Sequence, residues 1–325
     1  MGRETGLTLA VLAAFLAIVL WAEAAGEPFT ITLATRAAIF AIAGIGLNIA
    51  LGMGGLVSLG HAAFFGIGGY AMGILAHHAQ LFLPLAEWPL QIGGTNSMPV
   101  IWLVALATSA LAALGIGLLS LRTTGVYFIM ITLAFGQMFF YFMVSWPAYG
   151  GEDGLSIYIR NDFPGLNTLD PIQFFGLVYA VLLGAVGLYG MLHRSAFGLA
   201  LSAARQNDRR LAAVGIDPFR TRLTAFVISG ALTGLAGALF ADLNRFVSPV
   251  MFSWQTSGEI MIFVILGGVG RAAGPIVGAA SFIALEHWLG GVSDYWLIYL
   301  GAILLGMVLF ARGGIVGLLL GQARA

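Results

Sequence analysis

The chain has 325 residues, 60% hydrophobic and only 9% charged, where soluble domains carry about 25% charged residues. Fourteen basic residues balance fourteen acidic ones, so no global basic field points to nucleic acid. There is no cysteine, and every basic residue is an arginine; this excludes disulfides, thiolate metal sites and a Walker A loop, which needs a lysine on the phosphates. The bilayer is the expected solvent, and any ATP that drives this chain must be bound by another.

A spanning helix needs about 20 mainly apolar residues. The first such stretch, 7–25, ends near Ala22-Glu23-Ala24 and imitates a cleavable leader; its length reads as a retained first helix. The others fall near 30–51, 56–76, 99–121, 125–146, 171–192, 223–242, 255–270, 273–289 and 295–311. The eighth and ninth are short and separated by "LGGVGRAAGP", so they read either as two spans or as one broken re-entrant unit. The expected fold is an all-α membrane protein, a polytopic bundle of about ten helices in a single domain, 1–325.

Arginine placement orients it. The loop 193–222 carries Arg194, Arg205, Arg209, Arg210, Arg220 and Arg222 against Asp208 and Asp217 and is expected in the cytoplasm. One span away, 146–170 carries Glu152, Asp153, Asp162 and Asp170 against Arg160 and is expected outside. Counting outward places Arg3, Arg122, Arg271, Arg312 and Arg324 inside, with Arg245 outside and both termini cytoplasmic.

Proton-driven carriers keep Asp, Glu or His chains deep in the membrane. Spans 99–121, 171–192 and 295–311 contain no charge, 125–146 offers only Gln137, and Arg36 is within snorkelling reach of the outer interface. Glu259, Glu286 and Asp242 are expected near outer helix ends. Gly268-Val269-Gly270, with Glu286 downstream, imitates a dinucleotide fingerprint but lacks a βαβ context; it reads as a tight turn. His77-His78 and His287 read as interfacial groups. No catalytic set of residues is apparent.

Two stretches carry more. "LGMGGLVSLGHAAFFGIGGYAMG" (51–73) holds eight glycines and His61. Its glycines, like Gly230-x-x-x-Gly234 and Gly274-x-x-x-Gly278, suit close helix packing in lipid. The cluster Gly52, Gly54, Gly55, Ser58, Gly60 and His61 favours a helix break beside a translocation path. Asn48, Ser58, His61 and Gln137 are the expected path-lining residues, because polar groups in spans usually face the bundle interior. In "HRSAFGLALSAARQNDRRLAAVGIDPFRTR", a helix is expected over 200–214, stopped by Gly215 and Pro218.

"GLNIALGMGGLVSLGHAAFFGIGGY" closely resembles the signature of inner-membrane permeases of branched-chain amino acid ABC importers, in its LivM-type variant. "SAFGLALSAARQNDRRLAAVGID", "SGEIMIFVILGGVGRAAGPIVGAA" and "LFARGGIVGLL" resemble later signatures of the family in order, over about residues 36–320. The sequence departs from the family at Leu199, where an arginine usually follows Gly198, and at Arg205-Gln206-Asn207-Asp208, where an Arg-Glu-Asn-Glu-like run is usual. The resemblance implies a type II importer permease in the bacterial inner membrane, and no enzyme. Its implied partners are a second homologous (LivH-like) permease, two cytoplasmic ATPases carrying ATP and Mg, and a periplasmic binding protein. It implies ATPase coupling through Gly198, Arg205, Gln206, Asn207, Asp208, Gly215 and Ile216, with no cofactor in this chain. Branched-chain amino acids are the implied cargo. An ion-coupled carrier, or a passive channel for a small solute such as urea or an amide, is the rival expectation.

Overall fold

The computed structural model describes residues 2–82, 84–86, 92–292, 295–310 and 313–320. Arg312 and Arg324, both expected at the inner face, lie outside the described residues. In chain order the helices are α1 (Gly2–Ala25), α2 (Pro28–Asn48), α3 (His61–Leu81), α4 (Met98–Ser120), α5 (Val126–Val144), α6 (Pro171–Arg194) and α7 (Ala196–Gln206). They continue with α8 (Asp208–Ala213), α9 (Pro218–Asn244), α10 (Trp254–Gly267), α11 (Gly274–Val292), α12 (Trp296–Phe310) and α13 (Gly314–Leu319).

Each of the ten expected apolar stretches holds a helix. By length and composition seven of the described helices can cross a membrane: α1, α2 with the turn that follows it, α4, α5, α6, α9 and α11. The other three are α3, diluted by four glycines and three histidines, and the shorter α10 and α12. Helix starts follow local chemistry. Pro28, Pro171 and Pro218 open α2, α6 and α9, where a missing N–H costs nothing. Asp170 and Asp217 cap the latter two by accepting from Ile172 N, and from Phe219 N and Arg220 N.

α2 is the hub. It is buried nearly throughout and packs on α9, α11 and α6, while α3 and α4 close on α9 from the other side. The α3–α9 seam is set by glycine. A Cβ on Gly68 would collide with the Gly234 carbonyl, and one on Gly237 with the Phe65 carbonyl. Phe40 fills the space beyond, stacked on Phe65 at 5.8 Å and edge-on to Phe263 at 5.2 Å. α1 contributes a single stripe, Leu12, Phe15, Val19 and Ala22, and α5 is mostly uncovered within the chain. Side chains such as Leu9, Leu103, Tyr127 and Met191 are therefore free to meet lipid or another subunit.

Two expectations need correction, and one left open is narrowed. The 200–214 helix starts earlier, at Ala196, and is cut in two at Asn207, which is extended (φ −163°) and uses its side chain to cap α8. The stop at Gly215 stands (φ +82°). Of the two readings left open for the eighth stretch, the structure favours the broken unit: α10, at 14 residues, is not among the helices long enough to cross. After α9, the short strand Phe246–Val247 and the 3-10 turn Pro249–Phe252 run back along α3, with Val247 against Gly73 and Phe252 against Gly66. α10 therefore begins inside the bundle, beside the start of α3, and not at the outer surface. Finally, Arg36 does not snorkel freely; it is bonded to Glu286.

At the end where α9 finishes, the 146–170 loop is clamped down. Arg160 lies 4.2 Å over the Phe174 ring and donates to the carbonyls of Thr168 (2.8 Å) and Leu243 (3.3 Å). Asn161 donates to Asp242 Oδ1 at 3.1 Å. Burial pulls the Arg160 pKa below its usual value, opposed by the Asp242 carboxylate.

Candidate functional site: a helix break gripped by the α7–α8 elbow

The glycine cluster does interrupt the chain. α2 loosens into a π turn over Ile49–Met53, residues 54–60 are non-helical, and α3 starts at His61. A mid-membrane break must satisfy its own backbone groups, and neighbouring helices supply the partners. Ser257 of α10 accepts from Ala62 N at 2.8 Å, and Ser58 Oγ accepts from Gly60 N at 3.2 Å. Gly60 passes so close to α5 that a Cβ there would sit 2.7 Å from the Thr132 carbonyl.

Asn48 is fully buried and engaged at both ends of its amide. Nδ2 donates to the Arg271 carbonyl at 2.9 Å and Oδ1 accepts from Gly270 N at 2.8 Å. It thus staples the end of α2 to the α10–α11 turn, where Gly268 (φ +126°) and Gly270 (φ +80°) make the tight turn read from the sequence. His61 is fully buried against the edges of Phe64 and Phe226. Its Nε2 lies 2.7 Å from Ser229 Oγ, which donates onward to the Gly46 carbonyl at 2.6 Å. A hydroxyl has one proton, so Nε2 must be the donor to Ser229 and carry a proton. Nδ1 is left buried without a partner among the described residues. Gln137 Nε2 and the Tyr70 hydroxyl are likewise buried and unpartnered.

α7 grips the break from the opposite side. Arg205 donates from Nη1 to the Gly52 carbonyl at 2.8 Å, a carbonyl that the π turn leaves available, and its stem lies over Gly55. Leu201 packs at Gly54. Asp208 forks onto Arg222 at 2.8 and 2.9 Å, and Arg222 also donates to the Ala204 carbonyl at 2.9 Å. This ties the elbow to the foot of α9. Asn207 Oδ1 accepts from Arg209 N and Arg210 N at 3.0 and 3.2 Å. Gly198 has no room for a side chain against the Leu192 carbonyl. Residues 54–57, Leu121, residues 123–125, Phe128, Ile129, Arg205 and Arg222 line a cavity of about 150 Å³ at this junction.

Of the residues expected to meet a partner, Gly198, Arg205, Asn207 and Asp208 therefore make contacts within the chain, while Gln206, Gly215 and Ile216 are exposed. Leu199, singled out in the sequence only as a departure from the family, and Val214, not singled out at all, are uncovered and apolar. Ser229 and Ser257 were not singled out either, although lone hydroxyls in apolar spans are a readable signal of interior contacts.

These features define a multi-pass helical permease whose central helix is broken and tied to a short helix pair at one face. The chain belongs to the family described as branched-chain amino acid transport system / permease component, whose model matches residues 29–311. It is a transport family of the inner membrane. The chain is 29% identical to the high-affinity branched-chain amino acid transport system permease protein LivM of Escherichia coli over 88% of its own length and 70% of that protein's. It is 26% identical to the probable branched-chain amino acid transport permease protein LivH of Methanocaldococcus jannaschii, over 69% of each. A shorter match, 32% over 46% of this chain and 38% of the other, is to the xylose transport system permease protein XylH of Escherichia coli. No solved structure matches.

Proposed function

We propose that the chain, one permease domain over 1–325 with loop 193–222 as its coupling element, forms half of the translocation path of an ABC importer for branched-chain or related hydrophobic amino acids. A second, LivH-like permease supplies the other half. Two ATPases holding ATP and Mg dock on the exposed face of α7–α8, through Gln206, Gly215, Ile216 and the neighbouring Leu199 and Val214. A periplasmic binding protein delivers cargo to the opposite face. Both termini are cytoplasmic in this arrangement.

The observation that carries this reading is the Arg205–Gly52 bond with Leu201 on Gly54. A rigid elbow that a partner moves is thereby joined to the one place where the central helix lacks its regular ladder, and such a bistable element is what a two-state path requires. Ser58, His61 and Gln137 then bound the path, and Asn48 braces its wall. The test is reconstitution with the second permease, the ATPases and the binding protein. Leucine uptake should depend on ATP and on every partner; ion-driven or passive uptake by this chain alone would overturn the reading.

A further inference from the structure

Three polar atoms are left over where the 146–170 loop meets the end of α9. Asp242 is 3% exposed and Asn161 is fully buried. They share one bond, from Asn161 Nδ2 to Asp242 Oδ1 at 3.1 Å. The second oxygen of each, Asp242 Oδ2 and Asn161 Oδ1, is buried with no partner among the described residues, and so is Arg160 Nε. An ionised carboxylate only accepts, at about four lone-pair sites. Here one N–H serves it, and a charge buried with so few partners is costly.

The nearby guanidinium does not make up the shortfall. Arg160 donates from Nη1 to the Thr168 carbonyl at 2.8 Å and from Nη2 to the Leu243 carbonyl at 3.3 Å. Among the described residues no ion pair joins it to Asp242. The other charged groups around this end of α9 are engaged elsewhere or face outward. Arg36 of α2 is bonded to Glu286 of α11, and on α3 His77 lies beside His78, which is bonded to Tyr149. Asp170 caps α6, Asp162 and Arg245 are exposed, and α4 has no ionisable side chain. Turning the Asn161 amide over sets an oxygen against an oxygen and satisfies nothing. One proton on Asp242 Oδ2 does satisfy both. Its hydroxyl can donate to Asn161 Oδ1 while Asn161 Nδ2 donates to Asp242 Oδ1, a closed acid–amide pair.

We propose that Asp242 and Asn161 form a proton-dependent latch that fastens the 146–170 loop to α9, closed while Asp242 carries a proton on Oδ2. When the proton leaves, Asn161 loses an O–H donor, and the carboxylate draws Arg160 away from the Thr168 and Leu243 carbonyls. Thr168 Oγ1 donates to the Asn161 carbonyl at 2.8 Å, so the stretch 160–168 loosens as one piece. The strand pairing of Leu155 with Val247 and Ser156 with Phe246 stays and confines the change. Closure binds one proton more than opening does, so the latch weakens as pH rises. The inference concerns this loop and is independent of cargo and of what drives transport.

The chain has no cysteine, so Ile159→Cys, at an exposed site, takes a single spin label. The full chain is followed in nanodiscs from mildly acid to mildly alkaline pH. The ratio of mobile to immobile label should rise by about fivefold or more as pH rises. In infrared difference spectra of the parent, the band of an un-ionised carboxyl should fade over the same range. Asp242→Asn puts an N–H where the hydroxyl stands; its label should stay immobile throughout and the band should be missing. Asp242→Leu leaves the Asn161 amide unpaired and should be mobile at both ends of the range. A carboxylate bridged to Arg160 Nε through water is the competing arrangement and predicts the reverse, Asp242→Asn mobile at every pH. That result, a parent whose label and infrared band both ignore pH, or a band that persists in Asp242→Asn would each overturn the proposal. The infrared reading of the parent does not require any variant at position 242 to fold. None of these readouts is uptake, so failure of the transport reading is scored separately.

Discussion

The α3–α9 seam and the α7–α8 elbow are both held in place, by opposite means. In the seam, specificity comes from side chains that are missing: Gly68 on the Gly234 carbonyl, Gly237 on the Phe65 carbonyl, Gly230 against Ala113 and Phe64. Lipid offers helices no hydrophobic drive toward each other, so association there depends on close approach and polar pairing. In the elbow, which is exposed, the fold rests on side chains that are present. Asn207 and Asp217 cap, Asp208 and Arg222 pair, and Arg205 reaches into the membrane domain. The seam has little freedom to change. The elbow is built of individually modest polar bonds, and its one hydrogen bond to the break, Arg205 to Gly52, can be removed without opening the seam.

The comparison breaks first, and by the largest amount, at the seam. Gly68→Val or Gly237→Val should force the two helices apart and destabilise the protein by about 3 kcal/mol or more, read as loss of the monodisperse peak and a lowered melting temperature in detergent. Gly176→Ala and Gly184→Ala on α6, where a Cβ meets nothing within 4 Å, should be neutral or stabilising by up to about 1 kcal/mol. Equal damage from both sets would show that glycine content, and not backbone approach, is what the seam needs.

Next comes the Asn48 staple between the end of α2 and the α10–α11 turn. Asn48→Leu takes the acceptor from Gly270 N and one of two donors from the Arg271 carbonyl, which keeps Gly274 N. Thermal unfolding should show about 1–3 kcal/mol for the amide left without its partner, less what the added apolar volume returns. Smaller again is the pair His61 and Ser229. His61→Ala, Ser229→Ala and the double variant form a cycle whose coupling should be about 1 kcal/mol. A coupling near zero would remove the argument that Nε2 donates to the Ser229 hydroxyl.

How much of this was legible in the sequence follows the same division. Span positions, the break at Gly52 to Gly60 and the turn at Gly268 to Gly270 were readable, because glycine and proline act through backbone geometry that is local. Close packing was readable as a class, but which glycine meets which carbonyl was not, because the partner lies well over a hundred residues away. The depth at which α10 begins was hidden for a related reason: Phe246–Val247 and Pro249–Phe252 look like an outer loop in one dimension, and only the groove along α3 draws them inward. The elbow's internal bonds were hidden in another way. Arg205 reads as a coupling residue, and its donor goes to Gly52 within the chain, as those of Arg222 go to Asp208 and Ala204. Charge counting locates a loop relative to a membrane and says nothing of which guanidinium finds a carbonyl inside its own chain.

The smallest expected effect on stability is the most informative about mechanism. Arg205 is exposed as a residue, and its one bond to the Gly52 carbonyl should be worth no more than about 1 kcal/mol. Arg205→Met keeps the stem over Gly55 and removes only the donor, so the melting temperature and membrane insertion should stay near those of the parent. The local consequence should be larger than the global one. With the carbonyl released, the break loses its hydrogen bond to the elbow, and the amides of 54–60 should exchange hydrogen faster while those of α3 and α9 do not change. In the importer proposed above, the same variant should keep the ATPases bound and lose the link between hydrolysis and uptake. If exchange over 54–60 is unchanged, the elbow is only docked beside the break and does not control it, and the seam and the elbow are then two independent structures sharing one chain.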